Sequence, residues 1–528
     1  MKSHTSVQSS EILLLETPFL SEAGGEEVKA YMQSKYNLAL LALGSYVKAH
    51  SDLQVSLINM SKDRINEEEL IGLLRSSSPK VVGVSLYSYS LATSYRIISR
   101  IKQEFPETHI CVGGPHVSIF PQETVQLPNI DSIVLGDGEV PFMEVCRQIT
   151  SENKLTLETL PLGVYTKEYP GKEGELLSST FEEMNALPPS DLNLLGDYKR
   201  YRDFLSNKVM GILSTSRGCP YVCNYCWSEF SRYRDFSVEY MINIMRQYKE
   251  AGVEYIEFWD ETFNPNDKRI KEFANALLKA DLGLTWAIRG AVVNHISYDD
   301  MVKLKKTGLK VIQFGVESLN PRLLQYLNKK LDYEKVNNAI QTCHRAGIRT
   351  VANMIVNIQG QTREEMHEDF DRLKQLKPTF VSISIYNWAP GTSHYLKALE
   401  EKVIPLDFWR EHALNPMEED PIVHPVTEVP IKEVYKMRDD FVRNYYFNPA
   451  YIFNYLKLMS PSEFLGTFNV ARLMLKGKIK SMIDNFSNSS EASSEATDFP
   501  LTRGVFVSSV KPQNPATVPL ASSKNHFN

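Results

Sequence analysis

Short apolar runs at residues 12–15, 55–58, 81–86, 110–112 and 133–135 are separated by stretches whose apolar residues recur at helical spacing. Runs this short, each followed by an amphipathic segment, predict a βαβ series and hence a parallel, doubly wound α/β sheet over residues 11–150. Small residues end three of these strands: Ser85, then Gly113-Gly114-Pro115-His116, then Gly136-Asp137-Gly138-Glu139. Ligands of open parallel sheets bind at such strand ends, where glycine lets the backbone approach closely.

Residues 151–208 have no sustained period and carry Pro161, Pro170-Gly171, Gly174 and Pro188-Pro189, the composition of a turn-rich linker with a small hairpin. A second series follows, with strands predicted at 209–214, 255–258, 285–288, 311–314, 350–355 and 381–385. Six strand–helix units within residues 209–395 are too few for a closed eight-fold barrel, so a partial (β/α)6, TIM-like barrel is expected, with its chemistry at the C-terminal strand ends. Residues 396–485 read as a helical, aromatic-rich C-terminal domain. Residues 486–528, rich in Ser, Asn, Thr and Pro, read as a disordered tail.

Composition narrows the partners. The 528 residues carry 58 Lys and Arg against 64 Asp and Glu, a net charge of -6, so no global positive field marks a nucleic-acid binder. The N-terminus is polar and the first apolar run is too short for a signal or spanning segment, which predicts a cytoplasmic protein. The segment 464–483 mixes apolar residues with Arg472, Lys476, Lys478 and Lys480. That pattern fits a membrane surface or a solvated basic helix face; the solvated face is the expectation, and membrane association is not.

Three of the six cysteines fall within eight residues, in Ser216-Arg217-Gly218-Cys219-Pro220-Tyr221-Val222-Cys223-Asn224-Tyr225-Cys226-Trp227, directly after the first strand of the second series. One loop can wrap these three soft thiolates around a single inorganic centre. A structural zinc site would need a fourth ligand, and no Cys or His stands at a standard spacing nearby. Cys111, Cys146 and Cys343 are scattered in apolar contexts and read as buried thiols.

This Cys-x3-Cys-x2-Cys loop, with Tyr225 before its last cysteine, resembles the hallmark of the radical S-adenosylmethionine enzymes. The resemblance extends from about residue 209 to 392. It implies that Cys219, Cys223 and Cys226 hold a four-iron four-sulfur cluster whose fourth iron chelates S-adenosylmethionine. By the same resemblance Asp260 or Glu261 accepts from the cofactor's ammonium group, Arg289 pairs with its carboxylate, Glu317 of Gly315-Val316-Glu317-Ser318 contacts the ribose, and Tyr225 and the region from Asn353 frame the adenine.

The turns bearing Ser85, Gly113, Gly114, His116, Gly136, Gly138 and Glu139 resemble the cobalamin-binding domain fused ahead of many radical S-adenosylmethionine enzymes. The Asp-x-His-x-x-Gly motif that supplies a lower cobalt ligand elsewhere is missing, since the first strand-turn reads Glu16-Thr17-Pro18-Phe19-Leu20. This implies a corrinoid without a histidine ligand, with residues 18–20 near its lower face and His116 orienting its turn or touching the corrin edge. Both resemblances together imply a cobalamin-dependent radical enzyme that methylates an unactivated carbon of a small molecule and takes electrons from a flavodoxin or ferredoxin. Relatives of this architecture also contract or form rings, and a corrinoid-binding sensor or carrier is the reading from a different class.

Overall fold

The computed structural model describes residues 10–18, 35–152, 154–172, 176–416, 423–425, 427–459, 463–464, 466–468 and 472. Phe19, Leu20, the tail at 486–528 and most of the segment 464–483 lie outside the described residues.

The first series folds into a six-stranded sheet of order β2-β1-β3-β4-β5-β6: β1 (Ile12–Glu16), β2 (Val55–Asn59), β3 (Val81–Ser85), β4 (His109–Gly113), β5 (Ser132–Val134) and β6 (Val164–Tyr165). The first five strands are parallel, and helices cover both faces. Ile12 and Leu14 pack with Phe142 and Cys146 on one side, whereas Leu13 and Leu15 pack with Ile71 and Ile98 on the other. Burial on both faces explains why β1 is a continuous apolar run rather than an alternating one. Strand β6 comes from the segment read as a linker and pairs antiparallel with β5. The same segment continues along the end of β5, where the Leu135 carbonyl accepts from the Ser179 amide (3.0 Å) and the Asp137 amide donates to the Ser179 carbonyl (2.9 Å).

The second series begins with β7 (Met210–Leu213), followed by a two-stranded ribbon, β8 (Ser216–Arg217) and β9 (Arg234–Asp235), whose arms enclose the cysteine loop. Then come β10 (Tyr255–Phe258), β11 (Thr285–Ala291), β12 (Leu309–Glu317), β13 (Arg349–Val356) and β14 (Phe380–Ile385). Strands β7, β10, β11, β12, β13 and β14 lie side by side in that order, all parallel. Among the described residues β14 and β7 do not pair, so the barrel is open. Strands β11 and β12 run past their apolar runs because parallel partners on both sides continue the ladder; Arg289 and Glu317 therefore sit within strands.

An open sheet leaves an edge with unpaired backbone groups. Tyrosines from the helices Ile431–Tyr446 and Pro449–Leu458 cover it. The Tyr446 hydroxyl accepts from the Val381 amide (2.9 Å) and donates to the Val381 carbonyl (3.1 Å), and Tyr451 donates to the Thr379 carbonyl (2.9 Å). The helices Ser393–Glu400 and Phe408–Leu414 turn instead to the first domain. There Trp409 packs against Tyr89, His116 and Phe120, and the Arg410 amide donates to Glu123 (3.2 Å). Cys111, Cys146 and Cys343 are buried free thiols, and no described helix is long and apolar enough to cross a membrane.

Candidate functional site

The C-terminal ends of the two sheets face one another across a cavity of about 2020 Å³. From the first domain it is lined by Glu16, Ser85, Gly113, Gly114 and Gly136 to Glu139, and from the barrel by Ser214, Arg217, Gly218, Trp227, Trp259 to Glu261, Arg289 and Gln313. No histidine is among the described lining residues.

Two side chains of the first domain clamp the ribbon that carries the cysteine loop. Arg217 on β8 donates to Asp137 (2.9 Å) and makes a two-pronged ion pair with Glu139. Arg234 on β9 pairs with the other Asp137 oxygen and donates to the Phe181 carbonyl (2.8 Å). Burial works against the Asp137 charge, yet Arg234 and Arg217 hold its carboxyl below the ordinary value. Glu139, expected as a corrinoid contact, is thus engaged by Arg217.

The glycine turns divide by cause. A Cβ on Gly113 would meet nothing closer than 3.5 Å, so its missing side chain leaves room at the cavity wall. Gly136 has φ +82°, and a Cβ there would stand 2.2 Å from the Ser179 carbonyl, so the sheet's own packing requires glycine. A Cβ on Gly114 would stand 2.6 Å from Ser85 Oγ, and one on Gly138 3.0 Å from the Leu43 side chain. Of the two roles expected for His116, its placement fits orienting the turn rather than touching the corrin edge: it is 1% exposed, its Nδ1 lies 2.9 Å from Ser88 Oγ, and its ring packs against Phe120 and Trp409. It follows the cavity-lining Gly114 and Pro115, but its side chain enters the core.

The three cysteines are half-buried free thiols. Cys219 Sγ lies 3.0 Å from Thr262 Oγ1, and the Cys226 amide donates to the Cys223 carbonyl (3.0 Å). Gly218, at φ +76°, lets the loop leave β8 against the Arg232 carbonyl. Burial pushes the Cys223 thiol up to about 11 and raises Cys226 as well. The thiolate is the ligand form, so a bound cluster's cationic core would have to offset this cost of burial. Among the described residues no three His, Cys, Asp or Glu side chains form a single-ion site. The donor set fits a cluster held by three cysteines.

Of the acidic pair on β10's turn, Asp260 is buried. Its Oδ1 accepts from the Thr215 amide (2.8 Å), Thr215 Oγ1 (2.8 Å) and Ser216 Oγ (2.7 Å), while Oδ2 has no hydrogen-bond partner. Such an orphaned acceptor is the feature an ammonium donor would satisfy. Glu261 is exposed and lines the cavity. Arg289 pairs with Glu257, which also accepts from Lys35 (2.8 Å) and from Trp259 Nε1 (2.8 Å). Burial opposes the Glu257 charge, but Arg289 and Lys35 hold the carboxyl down to about 2. Sequence reasoning missed Lys35 and Glu257; the available signal was a carboxylate in the otherwise apolar strand Tyr255–Phe258.

A second group gathers beside the cysteine loop rather than in the large cavity. Glu317 closes β12 at φ +68°, where the register with β13 shifts, and its Oε1 lies 3.1 Å from Lys329 Nζ. Lys329 Nζ is also 3.5 Å from the Tyr225 hydroxyl. Asn353 accepts from Gln313 Nε2 (3.0 Å), which connects it to the cavity wall. Ser318 does not join either group: fully buried, its hydroxyl donates to Asp369 (2.7 Å) and fixes the turn after Glu317.

Comparison with known proteins follows this division. Residues 213–373 match the radical SAM superfamily model, and residues 32–146 match the B12 binding domain model. Over 380 residues the chain is 26% identical to an uncharacterized methyltransferase of Pyrococcus horikoshii, spanning 71% of this chain and 81% of that one. It is 24% identical over 385 residues to an anaerobic magnesium-protoporphyrin IX monomethyl ester cyclase of Rubrivivax gelatinosus, spanning 71% and 68%. Its fold is similar to that of the radical S-adenosylmethionine methyltransferase TsrM from Kitasatospora setae, solved with cobalamin and a [4Fe-4S] cluster (TM-score 0.63, 16% identity, 86% and 90% covered). The cobalamin-dependent radical enzyme OxsB is similar too (TM-score 0.65, 19% identity, 88% and 72% covered).

Proposed function

We propose, from the premise that this chain is a radical S-adenosylmethionine enzyme with a cobalamin-binding domain, that it methylates an unactivated carbon of a small molecule held between its two sheets. The observation that carries this reading is the shared cavity: strand ends of both domains open into it, and the Asp137–Glu139 clamp holds the cysteine loop against it. When bound, the cluster with S-adenosylmethionine supplies one-electron chemistry that removes a hydrogen atom from carbon, and cobalamin supplies the methyl group.

The chain's own part is to bind, orient and exclude water. Cys219, Cys223 and Cys226 hold the cluster. Asp260 Oδ2 and Glu261 accept from the ammonium group of S-adenosylmethionine. Arg289, oriented by Glu257, would pair with the cofactor carboxylate, and Glu317 would accept from the ribose, with Asn353 and Tyr225 framing the adenine. Ser85 and the open wall at Gly113 receive the corrinoid. A cavity of about 2020 Å³ exceeds the ~300–1,000 Å³ of an ordinary ligand pocket, as a site for a corrinoid and a substrate together must.

Ring formation is the second reading, favoured by the cyclase relative. The test is anaerobic reconstitution with iron, sulfide and hydroxocobalamin, followed by reductive incubation with methyl-labelled S-adenosylmethionine. Retained cluster and corrinoid, 5′-deoxyadenosine and label transferred to the corrinoid are expected. Cleavage with no label on a bound corrinoid would turn the reading to ring chemistry, and a chain that takes up no cluster would overturn it.

A further inference from the structure

We propose that Lys329 is a positioning residue that holds Glu317 and supplies the fixed positive charge against which the cysteine-held cluster is reduced. The inference rests on the cluster assignment above but concerns a residue outside the cysteine motif.

The turn that presents Lys329 is sewn to the cysteine loop. After the helix Pro321–Tyr326, Asn328 adopts φ +52°, and its Nδ2 donates to the Val222 carbonyl (2.6 Å). In return the Asn224 amide donates to the Leu327 carbonyl (3.3 Å), and Asn224 Nδ2 to the Tyr326 carbonyl (3.4 Å). Both asparagines are therefore bound to the other segment's backbone, which ties the turn to the cysteine loop. The next residue is Lys329, with its side chain only 16% exposed.

Its ammonium lies 3.1 Å from Glu317 Oε1 and 3.5 Å from the Tyr225 hydroxyl, between Cys223 and Cys226 in sequence. The pair lies over Gly315, where a Cβ would come within 2.5 Å of Glu317 Oε1 and 3.0 Å of Lys329 Nζ. Glycine at 315 thus leaves the space the ion pair fills. Burial works against the Lys329 charge, yet Glu317 and then Cys223 hold it above the ordinary lysine value. A surface ion pair would need neither this glycine nor this stitching.

Reduction takes one electron from a one-electron donor into the cluster and makes or breaks no bond, so it adds one negative charge beside the loop. A buried cation favours the more negative form, and cluster potentials respond to local charge and exposure. The neutral variant should therefore be harder to reduce.

The test is a mediated spectroelectrochemical titration of the full-length reconstituted protein, comparing Lys329→Met, Lys329→Arg and Glu317→Gln with the parent at equal iron content, together with S-adenosylmethionine binding. Lys329→Met is expected to lower the reduction equilibrium constant about tenfold, about 59 mV for one electron, and to weaken S-adenosylmethionine binding. Lys329→Arg should restore both in large part, and Glu317→Gln should move the potential the opposite way. A parent-like potential in Lys329→Met would overturn the proposal while leaving the cluster assignment standing. Should Lys329→Met fail to load iron, the Glu317→Gln shift decides, and its absence overturns the proposal. A parent protein without a cluster would overturn the functional reading itself.

Discussion

At the residue scale, the proposed cluster rests on the thiolates of Cys219, Cys223 and Cys226 in one short loop. Cys223→Ala leaves two, and two thiolates do not retain the cluster firmly. Iron and sulfide per chain are expected to fall at least about tenfold after anaerobic reconstitution, with loss of S-adenosylmethionine cleavage. Full retention of both would remove the cluster from this loop. A pH effect belongs to the same scale. Burial lowers His116 to about 3 and His109 to about 4 from the ordinary 6.5, so the unfolded chain takes up their protons first. Stability from each is present above pH 6.5 and is lost as pH falls toward those values. Burial raises Glu16 and Glu123 to about 7, and their contribution runs the other way: present below about 4.5, it is lost as pH rises through 7. The two trends oppose between pH 4.5 and 6.5. His116→Phe should therefore gain on the parent by up to about 1.4 kcal/mol per pH unit as pH falls through that window, read as a Tm difference against pH. A difference that does not change with pH would mean that His116 is not held neutral.

At the element scale, β14 ends the barrel, and one tyrosine serves both backbone groups of Val381. Tyr446→Phe removes that donor and acceptor but keeps the ring. Leaving two buried backbone groups without their partner costs about 1–3 kcal/mol, expected as a lower urea midpoint and faster amide exchange along β14 than along β12. Equal exchange in both strands would show that the ring alone covers the edge. The six strands of the second sheet were legible, since each overlaps a predicted apolar run, whereas the polar ribbon strands β8 and β9 carry no such signal. Their lengths were less so: β11 and β12 extend because neighbouring parallel strands continue their ladders. The brief strand β6 escaped notice because Val164–Tyr165 is two residues amid turn-forming sequence and gains its conformation from β5.

At the scale of the whole molecule, the clamp of Asp137 and Glu139 on Arg217 and Arg234 is the polar contact that joins the first domain to the cysteine loop. Breaking a largely buried ion pair from one side costs about 3–5 kcal/mol, less here because Arg217 is 26% exposed. Glu139→Gln is expected to increase amide exchange across residues 216–235 and to lower corrinoid retention, with iron content kept near the parent's. Unchanged exchange in the ribbon would mean that the Glu139 carboxylate does not hold it in place.

The cysteine spacing, the two βα series and the apolar character of each strand were determined by sequence alone, because each depends on residues only a few positions apart, where chain geometry permits one arrangement. Tertiary structure decided which charges meet. Lys35 and Glu257 are 222 positions apart, Arg217 and Glu139 78, so no local pattern relates them. It also decided that His116 enters an aromatic core while Gly113 and Gly114 stay at the cavity. A side chain's surroundings at a turn are set by whatever distant segment packs there, here the helix carrying Trp409.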